Sequence, residues 1–115
     1  MAYYDLREFV LALEEKGELK RVKRKVNPEF ELAGVCIESI AQRGPVLLFE
    51  NVKGSETPVL NNPFVSRRLV ALALQCREED LLKVWMERAE KKISPIIVKD
   101  GPCKEVKVRN PDLTR

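Results

Sequence analysis

Hydrophobic residues recur at helical spacing near the start of the chain, in the stretch YYDLREFVLALEEKGEL. Positions i, i+3, i+4 and i+7 of a helix lie on one face. Those positions are occupied here by Leu6, Phe9, Val10 and Leu13. Asp5 can cap the N-terminus of such a helix, and Gly17 stands where a left-handed C-terminal cap is favoured. The pattern therefore predicts an amphipathic helix in this stretch.

The next two stretches predict a strand and a second helix. LKRVKRKV has no helix start signal, and its charge favours a strand near a sheet edge, with Val22 and Val26 on one side. NPEFELAGVCIESIAQRG predicts a helix in which Asn27 is the N-cap and Pro28 lies in the first turn. Gly44 and Pro45 end this helix. Its predicted buried stripe consists of Phe30, Ala33, Ile37 and Ala41.

The rest of the chain predicts two strands, two helices and two further strands. PVLLFENV is apolar enough for a strand covered on both faces, and PVLNN follows as a short strand. SRRLVALALQCREEDLLKVWMERAEKK predicts two helices that are separated at CREED, the first capped by Ser66. PIIVKD and CKEVKV predict short strands around the turn Asp100–Pro102. The apolar residues predicted to face the core are Leu69, Val70, Ala73 and Leu74 in the first helix, and Leu81, Leu82, Val84, Trp85 and Met86 in the second.

Helices and strands thus intermix along one chain, which predicts an α/β or α+β fold. The expected architecture is a small mixed sheet with helices packed on it, in a single domain over residues 1–115.

Composition narrows the classes of protein. The chain is 44% hydrophobic and 34% charged, which is typical of a globular domain, and no apolar run approaches the ~20 residues of a membrane span. No signal peptide is predicted, so we expect a cytoplasmic protein. The net charge of +3 is too small to dictate a polyanionic partner. The basic residues cluster at Lys20–Lys25. This cluster is interpreted either as a solvated strand or as the binding patch of a small basic module, and no nucleic-acid partner is expected.

Residues able to carry chemistry are scarce. The chain has no His, and Cys36, Cys76 and Cys103 are too far apart in sequence for a zinc site, so they are interpreted as structural. No glycine-rich phosphate loop is present. Trp85 could stack on a flat ligand, but its helical apolar neighbours favour a role in the core. Asn61 and Asn62 could hydrogen-bond a ligand, but a role in the turn is favoured. The sequence predicts no catalytic, cofactor-binding or metal-binding residue.

Three stretches in fixed order carry a resemblance: DLREFVLALEEKGELKRV, GPVLLFENVKGSETPVLNNPFVSRRLVALAL and GPCKEVKVRNPDLTR. Together they resemble the N-terminal domain of the UbiD-like decarboxylases, the family of 3-octaprenyl-4-hydroxybenzoate carboxy-lyase. The last stretch is similar to the segment, here residues 100–115, that leads toward the family's central flavin-binding domain. Lys20 stands where the family often has an apolar residue, and RVKRKV is more basic than usual. These departures bear on the local packing and on the neighbouring element, but not on the resemblance as a whole.

The resemblance implies a carboxy-lyase that acts reversibly on aromatic or α,β-unsaturated acids. It also implies prenylated FMN as cofactor, with a divalent metal (Mn or Mg) and potassium, and a homo-oligomeric assembly. The family's catalytic, cofactor and metal residues lie in the central domain, so none is carried over to this chain. The chain alone is therefore expected to be inactive. It is either part of a longer chain with central and C-terminal domains or a small subunit of a split decarboxylase beside a larger subunit.

Overall fold

The computed structural model describes residues 3–113 of the 115-residue chain. Thr114 and Arg115, at the end of the stretch that resembles an interdomain segment, lie outside the described residues. The helices and strands are α1 (Leu6–Glu15), β1 (Leu19–Val22), α2 (Glu31–Ala41), β2 (Val46–Phe49), β3 (Val59–Asn61), α3 (Arg67–Ala73) and α4 (Leu81–Glu90). This is an α+β fold, so the predicted fold class is confirmed.

The three strands form one mixed sheet in the order β1-β2-β3. β1 pairs with β2 in parallel, with Leu19 opposite Val46, and α2 is the crossover between them. β3 pairs with β2 antiparallel, with Asn61 opposite Leu47. β2 is thus the interior strand, and each of its four residues is buried or half-buried. The prediction of a strand covered on both faces is confirmed.

The caps that the sequence predicts for α1 and α3 are confirmed. Asp5 Oδ1 accepts a hydrogen bond from the Glu8 amide at 2.9 Å, and Ser66 Oγ accepts one from the Leu69 amide at 3.3 Å. α1 ends in a Schellman motif, in which the Glu18 amide donates to the Leu13 carbonyl at 2.8 Å. Gly17 adopts a φ of +71° there, a conformation that only glycine reaches without strain.

Two hydrophobic clusters lie on opposite faces of the sheet because successive residues of β2 point in opposite directions. The first cluster joins α1, α3 and the sheet through Phe9, Leu13, Leu19, Val46 and Leu69. The second joins α2 and the sheet through Val26, Cys36, Leu47, Phe49 and Val52. Phe49 and Leu13 have no solvent exposure, so each cluster has one fully enclosed large side chain.

The prediction for α2 is wrong in two respects. The helix begins at Glu31, and Asn27 instead closes a turn in which its side chain accepts a hydrogen bond from the Glu29 amide at 3.0 Å. The predicted buried stripe is exposed, namely Phe30, Ala33, Ile37 and Ala41. Cys36 is the buried residue of α2, with Leu32 half-buried beside it. Because α2 carries apolar residues on nearly every side, the spacing alone does not identify the side that faces the sheet.

Two predictions for the C-terminal third are also wrong. The break at CREED is confirmed and Leu81 is buried, but Leu82, Trp85 and Met86 are exposed rather than packed in the core. The strands predicted from PIIVKD and CKEVKV are absent, since the only regular element described after α4 is a 3-10 turn at Pro102–Lys104. A strand requires a partner strand, and this segment pairs with none within residues 3–113.

One charged network ties α1 to the two parallel strands. The Arg21 guanidinium donates two hydrogen bonds to the Glu14 carboxylate, at 2.7 and 2.8 Å, and a third to Glu50 Oε1 at 2.7 Å. The hydrogen bonds and charge of Arg21 hold the pKa of Glu14 below the 4.5 of an ordinary glutamate. The two carboxylates in turn raise the pKa of Arg21. The network is partly exposed, so solvent screening weakens it.

The first prediction concerns Phe49. Phe49→Ala leaves a cavity between α2 and the sheet, and we expect it to lower the free energy of unfolding by about 3–5 kcal/mol. Leu113→Ala serves as the exposed control and should change it by less than about 0.5 kcal/mol. Urea unfolding followed by circular dichroism measures both variants. Equal losses in the two variants would contradict the assignment of the second cluster as core.

The second prediction concerns pH. A carboxylate with a lowered pKa stabilises the folded state above its unfolded pKa, and this contribution disappears as pH falls through the folded pKa. Arg21→Gln should therefore lower the urea midpoint at about pH 7 and lower it less in acid, once the pH has fallen below the lowered pKa of Glu14 and its carboxylate is protonated. Lys20→Gln, on the same strand but exposed, is the matched control. The same loss at both pH values would show that Glu14 is not the partner of Arg21.

Candidate functional site

The polar side chains of the described residues lie at the surface and form no metal-holding group. Among residues 3–113, no group of three or more Asp, Glu, Cys or His side chains is arranged to hold a metal ion. No polar or charged side chain in that range is buried.

The three cysteines occupy different environments. Cys36 is buried in the second cluster, where desolvation raises the pKa of its thiol and keeps it protonated. This confirms Cys36 as a small buried hydrophobic residue. Cys76, which was also expected to be a small buried hydrophobic residue, is only half-buried after the end of α3, and Cys103 is exposed. All three are free thiols.

The basic segment Lys20–Lys25 is partly neutralised by carboxylates. Arg21 is held by Glu14 and Glu50, as described above, and Arg24 donates to Glu31 Oε1 at 2.5 Å. The lysines of the segment are exposed, namely Lys20, Lys23 and Lys25. Two of the five cations of the segment are thus paired with carboxylates, while its three lysines face solvent.

The two asparagines of LNNPF lie at the connection between β3 and α3. Asn61 is the last residue of β3, and Asn62 follows with a φ of +44°. Asparagine tolerates the left-handed region better than most residues, which is why it is frequent in turns. The positions are consistent with the predicted turn role.

A groove of about 600 Å³ runs beside α1 on the face of the sheet that carries the first cluster. Its apolar lining comes from α1, β2 and the start of β3: Leu6, Val10, Leu11, Leu48, Pro58 and Leu60. Arg21 lies at the groove, but its guanidinium already faces two carboxylates. The groove therefore favours an apolar neighbour over an anionic ligand.

The outer side of α4 and the segment that follows it form one of two larger exposed apolar surfaces. Leu82, Trp85 and Met86 are each more than half exposed, and Trp85 at 59% is not available for the core role that its helical neighbours suggested. Beyond α4, residues 93–113 are almost entirely exposed. The apolar residues of this segment are Ile93, Ile96, Ile97, Val98, Val106, Val108 and Leu113.

The second exposed surface is the outer face of α2, which we define as Phe30, Ala33, Gly34, Ile37 and Ala41. Phe30 is 91% exposed and Ile37 67%. Sequence analysis missed both surfaces because helical spacing of apolar residues was interpreted as core packing. A signal was nevertheless available, since α2 has apolar residues on more than one side and such helices are usually enclosed.

The total exposed area shows the scale of these surfaces. A compact monomer of 13.2 kDa exposes about 6,400 Å², whereas this chain exposes 10,067 Å². Its radius of gyration is 17.5 Å, against about 13 Å for a compact domain of this length. The difference of roughly 3,600 Å² exceeds the ~800 Å² that one partner contributes to a standard protein–protein interface.

The described residues include no helix that is both long and apolar enough to cross a membrane.

Comparison with known proteins identifies this architecture. Residues 10–89, more than half of the chain, match the family model of the 3-octaprenyl-4-hydroxybenzoate carboxy-lyase N-terminal domain. Among solved structures, the closed form of vanillic acid decarboxylase from Sedimentibacter hydroxybenzoicus is similar with a TM-score of 0.74 and 34% identity. The match covers 92% of this chain and 24% of that chain.

A second similar structure is the UbiD-class enzyme HmfF from Pelotomaculum thermopropionicum, solved as an evolved dimeric form in complex with prenylated FMN. Its TM-score is 0.70 at 35% identity, and the match covers 80% of this chain and 21% of that chain. The chain thus spans between a fifth and a quarter of the length of these solved relatives. On the family match and these structural similarities, the chain belongs to the UbiD-like carboxy-lyase family, as its N-terminal domain.

Proposed function

We propose that this chain serves as the structural N-terminal domain of a UbiD-like carboxy-lyase that acts on aromatic or α,β-unsaturated acids with prenylated FMN. The observation that carries the proposal is the exposed area, roughly 3,600 Å² above that of a compact monomer, in a domain that matches less than a quarter of each of these solved relatives. The remaining central and C-terminal domains, or a larger subunit, would cover this surface.

The residues of this chain do not fit the cofactor or its metal ions. A divalent metal and a flavin phosphate need carboxylate, imidazole or amide ligands grouped in a pocket. The described carboxylates lie on the surface, many beside Arg, and no His is present anywhere in the sequence. We therefore assign no catalytic, cofactor-binding or metal-binding role to any residue here, and no reaction step is derived for this chain.

The contribution of the domain is positional. Its two clusters make a rigid body around β2, from which α4 and residues 93–113 extend their apolar side chains outward. Burial of apolar area on this scale would fix the domain against the flavin-binding part of the enzyme. In the proposal, residues 100–115 form the connection toward that part. The assembly would operate in the cytoplasm as a homo-oligomer.

The third prediction tests this function. The purified 115-residue chain should show no flavin absorbance band after incubation with prenylated FMN, and it should release no carbon dioxide from an aromatic acid. The complete gene product, or the chain co-purified with a larger flavin-binding subunit, should do both. A flavin band or turnover in the 115-residue chain alone would overturn the structural assignment.

The same experiment separates the two forms of the proposal. A coding sequence that continues past Arg115 into a flavin-binding domain supports a single longer chain. A stop codon there, together with co-purification of a larger subunit, supports a split decarboxylase. A complete gene product that neither binds flavin nor decarboxylates any aromatic acid would contradict both forms.

A further inference from the structure

The outer face of α2 differs from the other exposed surfaces because it is presented by a strained turn. Phe30 precedes α2 with φ of +61° and ψ of −41°, and the Glu31 amide donates to the Glu29 carbonyl at 2.7 Å. This is a γ-turn centred on a residue with positive φ, which is rare and strained for a bulky side chain. Backbone strain of this kind is unfavourable and persists where the surroundings hold it in place.

Several hydrogen bonds hold the turn in that conformation. The Asn27 side chain accepts from the Glu29 amide at 3.0 Å, and the Asn27 amide donates to Glu31 Oε2 at 2.8 Å. The Leu32 amide donates to the Asn27 carbonyl at 3.1 Å. Arg24 pairs with the other oxygen of Glu31 at 2.5 Å. The turn is therefore fixed on both sides, and it holds an aromatic ring that is 91% exposed.

The helix behind Phe30 is suited to close contact with another element. Ala33, Gly34, Ile37 and Ala41 follow Phe30 at i+3, i+4, i+7 and i+11, the spacing of one helical face. A Cβ placed on Gly34 would meet no atom within 4 Å, so this side of α2 is open. Small residues on a helix let another backbone approach closely, and Phe30 and Ile37 provide the larger apolar side chains.

The charges around this face restrict its partner. Glu29 and Glu38 lie beside it and are exposed, whereas α2 itself carries no Lys or Arg. Glu31 is the other acidic residue nearby, and it is already paired with Arg24. Lys20 of β1 lines the same depression as Gly34 and Glu38, but α2 itself supplies no cation, so two copies of α2 packed against each other would bring several carboxylates together, and like charges across an interface are unfavourable. The rim instead complements a partner that carries Lys or Arg.

We propose that the outer face of α2, anchored by Phe30, is a docking site for an apolar helix flanked by Lys or Arg, supplied by the remaining part of the UbiD-class enzyme. This inference rests on the proposed function, because more than three quarters of each solved relative lies outside the match to this chain. An exposed aromatic fixed by its backbone is typical of the anchor residues that dominate binding free energy. Packing of a helix there would enclose α2 on both sides.

The fourth prediction is a photocrosslinking experiment on the complete enzyme that contains this chain. Phe30→p-benzoylphenylalanine should crosslink to an apolar helix with neighbouring Lys or Arg outside residues 1–115, identified by mass spectrometry of the crosslinked peptides. Tyr4→p-benzoylphenylalanine, at an equally exposed aromatic outside this face, is the matched control and should not give that product. No crosslink from position 30, or a crosslink to a second copy of α2, would overturn the proposal.

Two further variants separate the anchor from the stability of the domain. Phe30→Gly relieves the strained φ, so the urea midpoint of the 115-residue chain should not fall, while α2 in the complete enzyme should lose amide-exchange protection. Glu29→Lys combined with Glu38→Lys should reduce the crosslink from position 30 severalfold, whereas Glu90→Lys on α4 should not. Unchanged protection and unchanged crosslinking in these variants would reject the site even if the complete enzyme decarboxylates, which keeps this test independent of the proposed function.

Discussion

The fold depends on the burial of β2 from both faces. A three-stranded sheet has only one interior strand, and Val46, Leu47, Leu48 and Phe49 must find apolar neighbours above and below it. α1 supplies them on one face through Phe9 and Leu13, and α2 supplies them on the other through Cys36. Each cluster has only about five buried side chains, so neither face would hold the sheet without the other.

The features that sequence reasoning predicted correctly are those set by local chemistry. Asp5, Gly17 and Ser66 act through hydrogen bonds or backbone conformations within a few residues, so their roles can be identified from the sequence. The continuous apolar run of β2 likewise requires cover on both faces wherever it lies. The α+β class followed from the order of these elements, and the absence of His limited the chemistry of any candidate site.

The incorrect predictions share a different cause. Helical spacing places Phe30 and Ile37 on one side of α2, and Leu82, Trp85 and Met86 on the surface of α4, but it does not state which side has a neighbour within the chain. The strands predicted at residues 95–100 and 103–108 have suitable residues but no partner strand among the described elements. In each case the apolar pattern is real, but no element among the described residues covers it. The wrong predictions therefore fall on the surfaces assigned here to the rest of a longer enzyme.

The basic segment Lys20–Lys25 contributes both to the packing of the fold and to the exposed face of α2. Its charge suggested a solvated strand or a binding patch, yet two of its cations have internal partners. Arg21 joins α1 to the sheet through Glu14 and Glu50, and Arg24 holds Glu31 and with it the turn at Phe30. Without Arg24, Glu31 would lose the cation that helps hold its side chain against the turn. Fewer interactions would then maintain the strained φ of Phe30. The position of the aromatic ring on the outer face of α2 is therefore determined partly by a charge on the neighbouring loop.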